Sequence, residues 1–175
     1  IAQWLRQLMQ PLQAPNLGTK YLVYRFGFGH NFSFTHWVAN AVCLSEPFMN
    51  QNSPSTIVIT GASSGIGREL ALEMARRGHR LGLTARRMPL LEQLREEIYS
   101  TINRDIKVEL AIQDVCKTDT VGAALHELFV RLDGIDTIVV NAGANDITSI
   151  GTSDLENELK LIETNLSGAI ATIGA

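Results

Sequence analysis

From Ser55 onward, short runs of β-branched and aliphatic residues alternate with longer runs whose apolar positions recur every three or four residues. Thr56 to Thr60 reads as a buried strand. Ile66, Leu70 and Met74 then mark one face of a helix that Gly78 stops just after Arg76 and Arg77. Arg80 to Thr84 predicts a second strand, Leu91, Leu94 and Ile98 line a second helix, and Lys107 to Ala111 predicts a third strand. Val121, Leu125, Leu128 and Leu132 mark a third helix, Asp136 to Val140 a fourth strand, and Leu155, Leu159, Ile162, Leu166 and Ile170 a last helix. Strands alternating with helices define an α/β class, because parallel neighbours need a crossover connection and a helix supplies it. Right-handed crossovers give a doubly wound, Rossmann-type parallel sheet of about four strands, truncated after the fourth. Its order is 3-2-1-4 if the chain reverses after the third strand, and a ligand belongs at that switch point.

The first 48 residues do not follow this pattern. Nine of the eleven aromatic residues lie there, with only Arg6, Lys20, Arg25 and Glu46 as charges. Pro11, Pro15, Gly18, Gly27 and Gly29 interrupt any long periodic element. Residues 1–48 therefore read as an irregular extension or leader, residues 49–55 as a linker or the true amino terminus beginning at Met49, and residues 56–175 as the nucleotide-binding half of a domain. An aromatic docking segment is the competing reading of 1–48. His30 and His36 lie within it, but two histidines without a third ligand do not define a metal site.

Composition narrows the partners. A formal charge of −3 and 45% hydrophobic residues describe one ordinary core with no basic field to attract nucleic acid or an anionic membrane. No apolar run approaches the roughly 20 residues of a membrane span. Cys43 and Cys116 show neither metal-ligand spacing nor a secreted disulfide pattern, which suits a reducing cytoplasm. Small organic molecules are the expected partners.

The strongest motif stands between the first strand and the first helix: Thr60-Gly61-Ala62-Ser63-Ser64-Gly65-Ile66-Gly67. Glycines at 61, 65 and 67 permit a tight turn and close backbone approach to a pyrophosphate, and the helix start offers unpaired N–H groups. The loop resembles the T-G-x-x-x-G-x-G segment of the short-chain dehydrogenase/reductase family. Val140-Asn141-Ala142-Gly143 is similar to that family's N-N-A-G segment, with Val140 in place of the first asparagine. Asp114-Val115 stands where the family contacts adenine, and Thr164-Asn165-Leu166-Ser167-Gly168 resembles the segment carrying its catalytic asparagine. The resemblance spans about Ser55 to Ala175. It implies that Gly61, Ser63, Ser64, Gly65, Ile66, Gly67, Asp114, Val115, Asn141, Ala142 and Gly143 bind a nicotinamide cofactor, and that Asn165 holds a proton-relaying water.

No acid follows the second strand to accept the ribose hydroxyls of NAD(H). The chain there reads Leu83-Thr84-Ala85-Arg86-Arg87, so Arg86 and Arg87, with Arg68 near the loop, point to the 2′-phosphate of NADP(H). Arg76 and Arg77 read instead as complements to the carboxyl end of the first helix. The resemblance implies hydride transfer between NADP(H) and a carbonyl or alcohol, in a parent protein that is a homo-oligomer. Its Tyr-x-x-x-Lys pair does not occur here: Arg25, Phe28 and Asn103 stand four residues after Tyr21, Tyr24 and Tyr99. The expected state is a fragment without that pair. A non-catalytic dinucleotide-binding sensor or scaffold is the alternative, and an epimerase or dehydratase on the same fold ranks third. A fourth strand with no outer neighbour would show an apolar edge. His79 and His126 are expected at the surface, Glu156, Glu158 and Glu163 on a solvated helix face, and Ser149, Thr152 and Ser153 at a helix start near Asp154.

Overall fold

The computed structural model describes residues 20–23, 54–145 and 155–175. Five strands alternate with helices: β1 (Lys20–Val23), β2 (Thr56–Thr60), α1 (Gly65–Arg76), β3 (Arg80–Ala85), α2 (Met88–Thr101), β4 (Val108–Ile112), α3 (Thr118–Leu132) and β5 (Thr137–Val140). The chain then runs through α4 (Leu155–Ile162), a π-helical turn (Glu163–Ser167) and α5 (Gly168–Gly174). Strands β2 to β5 are the four read from the hydrophobic pattern, each within a residue at either end. The sheet order is β1-β5-β2-β3-β4, all parallel, which contains the expected reversal after the third of these four strands.

Strand β1 comes from the segment expected to be irregular. Its Lys-Tyr-Leu-Val sequence suits a pleated strand, and it pairs with β5 in the register Lys20 to Thr137 through Val23 to Val140. The bare apolar edge expected on the fourth strand is therefore covered. Stretches 1–19 and 24–53, with His30, His36 and Cys43, lie outside the described residues, as do Ser149, Thr152, Ser153 and Asp154.

All five residues of β2 are buried, as a strand between two helical layers requires. Two cores form, one on each face. Ile57, Ile59, Leu81 and Leu83 pack with Leu70 and Met74 of α1 and with Leu91, Leu94 and Ile98 of α2. Val58 and Ile138 pack on the other face with Val121, Leu125, Leu128 and Leu132 of α3. Each such aliphatic side chain contributes about 1.5 to 3 kcal/mol on full burial. His79, expected at the surface, is buried at 6% exposure. Its Nδ1 accepts the Ser55 N–H at 3.1 Å, which satisfies that ring nitrogen at the start of β2. His126 is exposed, stacked on Phe129.

Candidate cofactor site

The glycine loop leaves the carboxyl end of β2 between two neighbours. On one side the Ala62 N–H donates to the Thr84 carbonyl at the end of β3, at 3.0 Å. On the other side Thr60 Oγ1 accepts the N–H groups of both Asn141 and Ala142 at 3.0 Å and donates to the Val139 carbonyl at 3.3 Å. The Asn141 side-chain amide donates to the carbonyls of Thr60 at 3.0 Å and Gly61 at 3.4 Å. Thr60 thus joins two motifs that the sequence separates by 81 residues. A side chain would break the joint: a Cβ on Gly61, which has φ +70°, would lie 2.7 Å from Ala142 Cα, and one on Gly67 would lie 2.5 Å from Asn141 Nδ2. Val140, the departure from the family segment, is a buried residue of β5 and takes no part in this joint.

Two observations fit a dinucleotide phosphate on this loop. Ser64, the residue capping α1, makes no side-chain capping bond, so the first N–H groups of the 12-residue helix keep their donors and the positive end of its dipole. A Cβ on Gly65 would meet nothing within 4 Å among the described residues, so they leave the backbone there open to a ligand. Ser63, Ser64, Gly65 and Ile66 are all at least partly exposed.

Arg86 and Arg87 follow β3 and are both exposed, and Arg87 Nη2 reaches Ser63 Oγ at 3.5 Å. Arg68 does not join them. Its guanidinium is bound to Glu69 at 2.6 Å and to Glu97 of α2, because both carboxylates lie within its reach along the packed helices. Arg76 and Arg77 pair with Glu73 in the last turns of α1. Asp114 Oδ1 accepts the Cys116 N–H at 3.2 Å, closing a turn after β4, and Val115 is buried. Gly168 is what lets α5 press on that turn, since a Cβ there would lie 2.8 Å from Val115 Cβ. Cys116 Sγ also lies 3.2 Å from Thr164 Oγ1 on the π turn.

Asn165 sits on that wide turn, and each end of its amide makes one hydrogen bond. Nδ2 donates to the Ala144 carbonyl and Oδ1 accepts the Ala144 N–H, both at 2.8 Å. The side chain therefore braces the segment after Asn141-Ala142-Gly143, and its polar atoms are directed to that backbone. Sequence reasoning assigned no role to Thr60, although it opens the quoted loop, and Ala144 carries no side-chain signal at all. Among the described residues no cluster of metal-ligating side chains occurs, and no helix is long and apolar enough to cross a membrane.

Residues 55–175 match the family model described as short chain dehydrogenase. An oxidoreductase of Myxococcus xanthus is 39% identical over 127 residues, covering 73% of this chain and 49% of that protein. An Arabidopsis thaliana protein described as 11-beta-hydroxysteroid dehydrogenase 1A is 35% identical, over 68% of this chain and 34% of its own length. An alcohol dehydrogenase from the archaeon Thermococcus sibiricus, solved with 5-hydroxy-NADP, superposes with TM-score 0.65 at 31% identity, over 70% of this chain and 51% of that one. The chain belongs to the short-chain dehydrogenase family of oxidoreductases, whose members bind a nicotinamide dinucleotide. It spans about half the length of the bacterial relatives it matches.

Proposed function

We propose that this chain supplies the NADP(H)-binding half of an enzyme that moves a hydride between the cofactor and a small carbonyl or alcohol substrate. The observation that carries the reading is the pair Arg86 and Arg87 where an acid would select NAD(H), with Arg87 extended to Ser63 of the phosphate loop. Gly61, Ser63, Ser64, Gly65, Ile66 and Gly67 hold the pyrophosphate, Asp114 and Val115 border the adenine, and Asn141, Ala142 and Gly143 line the approach to the nicotinamide. Bound there, the cofactor supplies the hydride; the chain's own residues bind and orient it. Asn165 fixes the Ala144 backbone beside that approach.

The Tyr-x-x-x-Lys pair that would transfer the proton belongs, on this reading, to the rest of a longer protein, which works as a homo-oligomer. Residues 56–175 are its nucleotide-binding unit, to which Lys20–Val23 adds an edge strand, with the rest of 1–48 as an extension and 49–55 as a linker. A free Cys116 suits a reducing cytoplasm.

Titration of the chain with NADPH and NADH, followed by cofactor fluorescence, tests the cofactor assignment. NADPH is expected to bind more tightly, and Arg87→Glu to weaken it roughly ten- to a hundredfold with little change for NADH. A preference for NADH in the unsubstituted chain, or an equal loss for both cofactors, overturns the assignment.

A further inference from the structure

We propose that Gln113 is a positioning residue for the adenosine end of the cofactor, acting through Thr84 without touching the ligand. The inference rests on the dinucleotide reading above. Gln113 follows β4 directly and is buried at 4% exposure, and Thr84 beside it in β3 is buried at 1%. The Thr84 hydroxyl donates to Gln113 Oε1. The Gln113 main-chain N–H donates to the Ala85 carbonyl at 3.0 Å, and the Thr84 carbonyl accepts the Ala62 N–H at 3.0 Å.

The end of β3 is thus gripped from both sides. The phosphate loop holds it through Ala62, and the end of β4 holds it through both the side chain and the backbone of Gln113. The residues just beyond this grip are Arg86 and Arg87 on one strand and Asp114 and Val115 on the other. One polar pair therefore sets the spacing of the three loops that would surround an adenosine 2′-phosphate.

As a device for stability alone, the pair is a poor one. Among the described residues Gln113 Nε2 is buried without a hydrogen-bond partner, and an unpaired buried donor destabilises the fold, whereas an apolar pair of the same shape would carry no such penalty. What the polar pair adds is register. A hydroxyl bound to an amide oxygen fixes the two strand ends against sliding, and ligand affinity falls steeply when donor groups are displaced by even an ångström.

The test separates register from stability. Thr84→Val and Gln113→Met together remove both polar partners at nearly constant volume, so the melting temperature is expected to match or exceed that of the unsubstituted chain. Affinity for adenosine 2′,5′-bisphosphate, a probe of this end of the site alone, is expected to fall roughly tenfold. Thr84→Ser, which keeps the hydroxyl, is expected to bind as the unsubstituted chain does. Unchanged affinity in the double variant overturns the inference while leaving the cofactor reading intact. An unsubstituted chain that binds neither the bisphosphate nor NADPH overturns that reading and the inference with it. Should the double variant not fold, Thr84→Val alone decides between the same outcomes: weakened binding supports the positioning role and unchanged binding overturns it.

Discussion

The loop end of β2, β3 and β5 and the helical arm α4 to α5 use their side chains in opposite ways. At the loop end the apolar residues are buried in the strands, and the polar atoms of Thr60, Asn141 and Thr84 are bonded to neighbouring segments. On the arm, Leu155, Leu159, Ile162, Leu166 and Ile170 recur at helical spacing yet are 52 to 66% exposed. The face turned to the protein carries the small residues Gly168 and Thr172, both buried, flanked by Ala169, Ala171 and Ile173. Periodicity therefore reports that a helix forms, but close approach decides which side packs. Gly168 against Val115 allows a contact that a leucine there would forbid.

The largest expected effect lies at the loop end. Gly67→Val would place a Cβ 2.5 Å from Asn141 Nδ2 and 2.6 Å from the Gly61 carbonyl, with two further methyl groups beyond. Neither neighbour can yield without breaking the joint around Thr60. A loss of about 3 kcal/mol in urea unfolding is expected, together with loss of cofactor binding. A variant with an unchanged midpoint would show that the joint is looser than these contacts require.

Asn165 connects the two regions, so its removal sharpens the comparison. Asn165→Ala deletes two hydrogen bonds to Ala144, both at the surface, where water can replace them in part. A loss of about 1 to 2 kcal/mol is expected. Faster amide exchange is expected at Ala144, whose N–H loses its acceptor. Unchanged exchange there would deny Asn165 its bracing role.

The opposite end of the sheet gives a smaller and pH-dependent effect. Burial, and then the positive charge of Arg77, hold the His79 pKa below its ordinary value of 6.5. The folded protein needs Nδ1 unprotonated to accept the Ser55 N–H, so the proton resides on Nε2. Well above pH 6.5 both folded and unfolded chains carry a neutral imidazole and this site does not vary stability. Below that value the unfolded chain takes up the proton first, and stability declines until the folded pKa is passed. Urea midpoints measured from pH 8 to pH 5.5 should fall at the acid end. His79→Asn, which keeps an acceptor near the Nδ1 position and cannot titrate, should remove the His79 component of that slope. An identical slope in the variant would assign the acid loss to other groups.

Most of the fold was legible because burial in a parallel sheet writes itself as continuous apolar runs such as Thr56 to Thr60 and Thr137 to Val140. The glycine loop was legible too, since a positive φ at Gly61 and the crowding at Gly67 leave few other residues acceptable. What escaped was set by long-range contacts. His79 reads as a polar residue after a glycine until Ser55, 24 positions away, is seen to donate to it. Arg68 reads as a phosphate ligand until Glu97 is found 29 positions on. The short strand β1 has too few residues for its period to stand out among glycines and prolines, and only its partner β5 gives it meaning. The π turn likewise has no signature in the spacing of Ile162, Leu166 and Ile170, which fits an α-helix equally well.

The smallest effect is expected on the exposed stripe, and its smallness is informative. Leu159 is 55% exposed, so the apolar area it removes from water in the folded chain is limited, and Leu159→Gln keeps the helix propensity of the position nearly unchanged. A change within about 0.5 kcal/mol in urea unfolding is expected at low protein concentration. The same substitution at buried Leu128 of α3 would unpack a core and cost several times more. If Leu159→Gln instead lowered stability as a core substitution does, the stripe would be covered in solution, and the contrast between loop end and arm would belong to the single chain alone.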